Sequence, residues 1–117
     1  MIDLWLDDER PAPPNWVHVK TVDEAINVMQ HFTVRDMSLD HDLGITPDGI
    51  EKTGYDFCLW MAEHANWPVN KPEVHSQNPV GRMAMKMLID RHWRGKTAPP
   101  SDAPTRRMTD EELDALL

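Results

Sequence analysis

Three short stretches of the chain concentrate side chains that can do chemistry: "LDDER" at 6–10, "LDHDLG" at 39–44 and "VHSQNPVGR" at 74–82. Asp7 and Asp8 in the first, and Asp40 and Asp42 in the second, offer oxygen ligands. Carboxylates gathered in one place repel, and a cation or a proton relieves the repulsion. Oxygen-only ligands suit a hard divalent ion that keeps part of its water, Mg²⁺ first, with Mn²⁺ or Zn²⁺ as alternatives. Asp8 and Asp40 are the primary candidates, with Asp7 or Asp42 assisting. His41 and His75 are candidate general acids or bases, because imidazole exchanges protons near neutral pH; with the aspartates they can instead complete a Zn²⁺ site. In the third stretch Asn78 and Pro79 signal a helix start, whose free N–H groups and positive dipole end favour an anion. Ser76 and Asn78 add polar groups there, Gly81 permits close approach, and Arg82 can pair with a phosphate. The plainer alternatives are solvated strand ends, histidines bonded to loop backbone, and a cap that needs no ligand.

These residues need elements to bring them together. "IDLWL" (2–6) is an apolar run that empties into acids, as a buried strand does at its carboxyl end. "RPAPPNW" (10–16) holds three prolines and cannot be a helix interior. "WVHVK" (16–20) alternates like a more exposed strand. Thr21 and Glu24 make a capping box opening a helix over about 22–32, with Val22, Ala25, Ile26, Met29 and Phe32 on one stripe. "MSL" (37–39) is a short strand, 44–54 a glycine-punctuated loop, 55–65 a helix, "EVHS" (73–76) a fourth strand and 78–93 a helix. Strands alternating with helices imply a short, truncated parallel sheet in a layered α/β domain with right-handed crossovers. The ligand crevice of such a sheet lies beyond the strands' carboxyl ends. Asp7-Asp8, Asp40-His41-Asp42 and His75-Ser76 all fall there.

The formal charge of −8 over 117 residues argues against gripping duplex DNA. The distribution is uneven: residues 1–79 carry five Lys/Arg against fourteen Asp/Glu, and residues 80–96 five against one. A small basic zone beside an acidic body suits a phosphate-bearing small molecule or an RNA end. The single cysteine, Cys58, excludes an internal disulfide and reads as a core residue. No apolar run reaches membrane-span length and the N-terminus lacks signal-peptide character, so a cytoplasmic protein is expected. Trp5 and Trp60 read as core; Trp16, Trp67 and Trp93 flank loops and can line a nucleotide pocket. The organisation expected is a domain over 1–94 and a proline-rich arm over 95–117. The arm closes in "MTDEELDALL", whose capping box (Thr109, Glu112) opens a helix too short to persist alone. It would dock on its own domain, on a protein partner or in a homodimer.

The acid pair, "SLDHDLG…TGYD" and Ser76 resemble the response-regulator receiver domain, with Asp40 at the phosphate-acceptor place. Residues 10–15 replace that family's first helix, and no fifth strand followed by lysine comes after Trp93. "LDDERPAP…W", "SLDHDLG", "TGYD" and "VHSQNPVG", over residues 2 to about 93, more closely resemble a divergent branch, the cyclic-phosphate processing receiver-like domain, which includes a phage modifier of suppressor tRNAs. The resemblance implies a receiver-like (flavodoxin-like) three-layer sandwich turned to phosphoester chemistry, on RNA ends carrying 2′,3′-cyclic phosphate or on nucleotides; for a phage protein the compartment is the host cytoplasm. The function expected is a metal-assisted phosphoesterase, with His75 as general acid or base and His41 as its partner. The alternative is a non-catalytic phosphate or RNA-end binding module, or a modulator of tRNA processing.

Overall fold

A computed structural model describes residues 1–44 and 49–93. Four strands, β1 (Ile2–Leu6), β2 (Val17–Val19), β3 (Val34–Leu39) and β4 (Glu73–Val74), form one parallel sheet in the order β2-β1-β3-β4. Three helices connect or follow them: α1 (Val22–His31), α2 (Gly54–His64) and α3 (Pro79–His92). This is the flavodoxin-like α/β fold, with the strand order that reverses direction between β1 and β3. The proposed arm, 95–117, lies outside the described residues.

The period-2 rule assigns the two faces of the sheet. Leu4, Leu6, Val17, Val19, Met37 and Leu39 are buried on one face, in a single cluster with Val22, Ala25, Val28 and Met29 of α1, Phe57, Cys58 and Met61 of α2, and Met85 and Ile89 of α3. Trp5, His18 and Ser38 alternate to the other face. No described helix covers that face: the β1–β2 connection is the proline-rich stretch, which cannot be helical. The described residues thus supply two of the three layers.

Local chemistry explains the element ends. Thr21 Oγ1 accepts from Glu24 N at 3.1 Å and caps α1. Asn78 Oδ1 accepts from Gly81 N at 3.1 Å and caps α3, with Pro79 at the first helical position. A second capping box, Thr53 with Asp56, opens α2: Asp56 Oδ2 accepts from Thr53 N at 2.8 Å. The strand β3 starts three residues earlier than its apolar pattern suggests. Its pairing with β1 slips by one residue, from Ile2–Val34 to Leu4–Met37. The extra residue breaks alternation, and Asp3 fills the bulge by accepting from Arg35 Nε at 3.0 Å and Asp36 N at 3.2 Å. The fourth strand is two residues rather than four, although His75 N still donates to Leu39 O at 3.0 Å.

The helix α2 closes directly over the end of β3. A Cβ on Gly54 would lie 2.0 Å from the carbonyl oxygen of Asp40 and 2.7 Å from Met85 Cε. Only glycine lets α2 approach this backbone. Gly54→Ala is therefore expected to destabilise the fold by about 2–3 kcal/mol, as overpacking does where backbone must move. Urea unfolding checks this, and an unchanged midpoint would show that α2 does not need this contact.

Candidate active site

The end of β1 and the end of β3 flank the point where the strand order reverses, and the acids of both strands meet there. One carboxylate oxygen from each of Asp7, Asp8 and Asp40 lies within 4.8 Å of the others, a group that can hold a metal ion. Three carboxylates fit a hard cation by donor type. The cost of gathering them falls on Asp8. Burial, opposed by a backbone hydrogen bond and joined by the charges of Asp7, Asp40 and Asp42, raises its pKa above the ordinary 3.8. Gly44, in the left-handed region at φ +72°, brings the following loop so close that a Cβ there would sit 3.4 Å from Asp8 Oδ2.

Asp7 is different: it is a buried structural hub. Its Oδ1 accepts from Glu9 N and Arg10 N, both at 2.8 Å, and its Oδ2 faces His75 Nε2 at 2.9 Å. Burial alone would raise its pKa, but the N–H groups of Arg10 and Glu9 together with His75 outweigh it and hold the carboxyl below its ordinary value. A carboxylate only accepts, so the hydrogen on His75 is at Nε2. His75 Nδ1 meets Ser38 Oγ at 2.7 Å, where the hydroxyl donates to a neutral ring or accepts from a protonated one. The ring stacks on Trp5 at 4.0 Å and 6°. Ser38 pairs with both Trp5 and Glu73 in register, so a small residue on the middle strand lets the indole and the imidazole meet above it. Arg10 Nη1 donates to His75 O at 3.2 Å. Both ring nitrogens of His75 thus have partners within the fold.

His41 has the freer ring. Its Nδ1 lies 2.8 Å from Asp42 Oδ1, a bond that is the first cause of the lowered pKa of Asp42. With the hydrogen on Nδ1, the Nε2 lone pair has no partner among the described residues. The ring packs on the first turn of α3: a Cβ on Gly81 would lie 2.4 Å from His41 Cγ. The close approach expected of Gly81 is therefore to an imidazole. Asp42 itself is outside the three-acid group, because β3 ends at Leu39 and alternation no longer places Asp40 and Asp42 together.

The anion-site residues are largely engaged with one another. Buried Ser76 accepts from Asn78 N at 3.1 Å, and Arg82 N donates to Asn78 O at 2.8 Å. Asn78 Nδ2 reaches Asp42 Oδ1 at 3.4 Å. Capping thus consumes most main-chain donors, leaving the exposed Arg82 guanidinium without a partner among the described residues.

The comparisons with known proteins bear on this geometry. The profile described as "Cyclic-phosphate processing Receiver domain" matches residues 2–91, which include all four strands and the acids at their ends. The chain belongs to the cyclic-phosphate processing receiver family. No curated protein and no solved structure matches it significantly. In this family member the sequence singled out the three clustered acids and both histidines. It missed Ser38, whose role depends on cross-strand register, and it placed Trp5 in the core. Trp5 is half-buried, stacked on His75, edge-on to Trp16 at 6.2 Å and 88°, and bonded through Nε1 to Arg10 O at 3.0 Å. Trp60 is likewise half-buried, against Phe57 and His64. Among the described residues no helix is long and apolar enough to cross a membrane.

The two acids predict opposite pH effects. The lowered pKa of Asp7 gives stability that is present above its unfolded pKa and lost as pH falls through the folded one. The raised pKa of Asp8 gives stability that is present in acid and lost as pH rises through its folded pKa. At pH 7, Asp8→Asn should therefore raise the Tm of the protein in chelator by a few degrees. Mg²⁺ should raise the Tm of the native protein and leave the variant unchanged. Thermal melts with and without Mg²⁺ check both signs; a variant less stable in chelator would mean that Asp8 is not held under repulsion.

Proposed function

We propose that the chain is a metal-assisted phosphoesterase that opens cyclic phosphates on RNA ends or nucleotides. The observation that carries this reading is the cluster of Asp7, Asp8 and Asp40, the last of which adjoins the His41–Asp42 pair at the end of β3, in a member of this family. Asp7, Asp8 and Asp40 would hold a divalent ion, Mg²⁺ best suited to three carboxylates that leave room for water. Bound there, the ion supplies charge neutralisation at a phosphoryl oxygen or a more acidic water.

The protein groups divide the remaining work. Asp42 fixes the His41 tautomer, so that Nε2 can take a proton from the attacking water. As the new P–O bond forms, the bond to one ribose oxygen breaks; that oxygen takes up a proton from solvent water while His41 returns its own to solvent, leaving a hydroxyl and a phosphomonoester. Arg82 would pair with the phosphate as its charge develops, while Asn78 and Ser76 hold the α3 turn that carries it. His75 is a positioning residue here: it fixes Asp7 through Nε2 and is itself fixed by Ser38 and by the Trp5 ring.

Turnover of a short RNA ending in 2′,3′-cyclic phosphate tests the reading. Ring opening should require Mg²⁺ and stop with chelator. His41→Ala should reduce kcat by about 10²–10⁴-fold with little change in binding. His75→Ala should chiefly raise the Mg²⁺ concentration needed, because its effect passes through Asp7. Folded protein that binds the RNA end but turns nothing over with Mg²⁺, Mn²⁺ or Zn²⁺ would replace the enzyme with a phosphate-recognising module.

A further inference from the structure

Three of the five exposed large apolar residues among those described, and the three most exposed, lie on one helix. Val80 is 80%, Met83 64% and Met87 66% exposed. Their spacing of i, i+3 and i+7 puts them on one stripe of α3, opposite the Gly81, Met85 and Ile89 side that packs inward. An apolar stripe of this kind marks a surface that something covers. Arg82 and Lys86 lie on the same helix, in the one basic zone of an acidic chain.

The last ten residues, "MTDEELDALL" (108–117), lie outside the described residues and complement this stripe in sequence. Leu113, Leu116 and Leu117 recur at helical spacing, and Asp110, Glu111, Glu112 and Asp114 supply four negative charges. The uncovered face of the sheet is the competing surface, but it carries Asp3, Asp36 and Glu73, which repel an acidic segment. The connection is long enough. The chain from Trp93 to Met108 can span up to about 50 Å, against about 21 Å for the length of α3. A segment tethered this closely has an effective concentration on the order of millimolar, which favours its own helix over that of a second copy.

We propose that residues 108–117 dock in cis along the Val80–Met83–Met87 stripe, with their leucines on the apolar residues and their acids towards Lys86. Docking supplies the burial that so short a helix lacks alone. Hydrogen–deuterium exchange of the full chain tests this by mass spectrometry. Amides over 112–117 should exchange at least about tenfold more slowly than in an unstructured peptide, as expected for a docked helix. The double variant Met83→Asp/Met87→Asp should lose that protection and keep the protection of the strands, since both side chains face away from the core. Unprotected tail amides in the native chain, or protection that survives the double variant, would overturn the proposal. A Met87→Cys/Leu116→Cys pair reports the occupant. Cys58 stays out of the reaction because burial removes it from solvent and pushes its thiol up to about 12. A disulfide closed within one chain supports docking in cis, whereas a covalent dimer as the main product would assign the stripe to a second copy and overturn it.

Discussion

A buried carboxylate needs hydrogen-bond partners, and Asp7, through its side chain and its backbone together, ties three separate parts of the chain to one another. The main-chain N–H groups of Glu9 and Arg10 turn the loop after β1, and His75 ties that loop to the end of β4. Its own backbone joins the third part: Asp7 N donates to Val19 O at 3.1 Å, and Asp7 O meets His18 Nε2 at 2.7 Å. One residue therefore fixes the relative positions of β1, β2 and β4 at the edge where the ligand crevice lies. Removing one partner of the carboxylate leaves a buried charge short of a hydrogen bond, at a cost of about 1–3 kcal/mol. The rest of the site inherits its geometry from this constraint.

The same constraint separates two histidines that look alike in sequence. Each follows a strand, but only His41 stands beside acids in sequence, and the sequence reading gave His75 the acid or base role with His41 as its partner. Position in the fold decides. The His75 partner is buried and already bound to main chain, so the imidazole is locked between Asp7, Ser38 and Trp5. The His41 partner, Asp42, is 65% exposed and pairs with the one ring nitrogen that faces it. An imidazole bonded at both nitrogens is held in one orientation, and one with a nitrogen open is free at that atom to meet solvent or a ligand.

What was legible in the sequence followed from local signals. Capping at Thr21 and Asn78, the proline break after β1 and the apolar run of β1 each depend on neighbours within four residues, and each appears where those neighbours put it. The acids at strand ends were legible for a related reason, because a parallel sheet sends all its carboxyl ends to one edge. What was not legible depends on pairing between strands. The bulge at Arg35–Asp36 hid the first half of β3 by breaking its alternation, and its filler, Asp3, is over thirty residues away. Trp5 sits in an apolar run yet alternates to the uncovered face, so hydrophobicity alone assigned it to the wrong side. Val28 was passed over on α1 because it lies at the edge of the stripe, past Ala25 and Phe32; it is fully buried.

The two glycines that bound the site show how tightly stability and chemistry share this edge. Gly54 lets α2 touch the main chain of Asp40, and Gly81 lets α3 touch the ring of His41. Neither has a positive φ, so neither is needed for backbone conformation. They are needed because two helices converge on a strand end that must present a carboxylate and an imidazole in consecutive positions. Helix packing on the core face thereby sets the direction of the two groups beyond the sheet. Beside them, burial first and then the charges of Asp7, Asp40 and Asp42 raise the pKa of Asp8. A cation held by Asp7, Asp8 and Asp40 would relieve the repulsion among these charges.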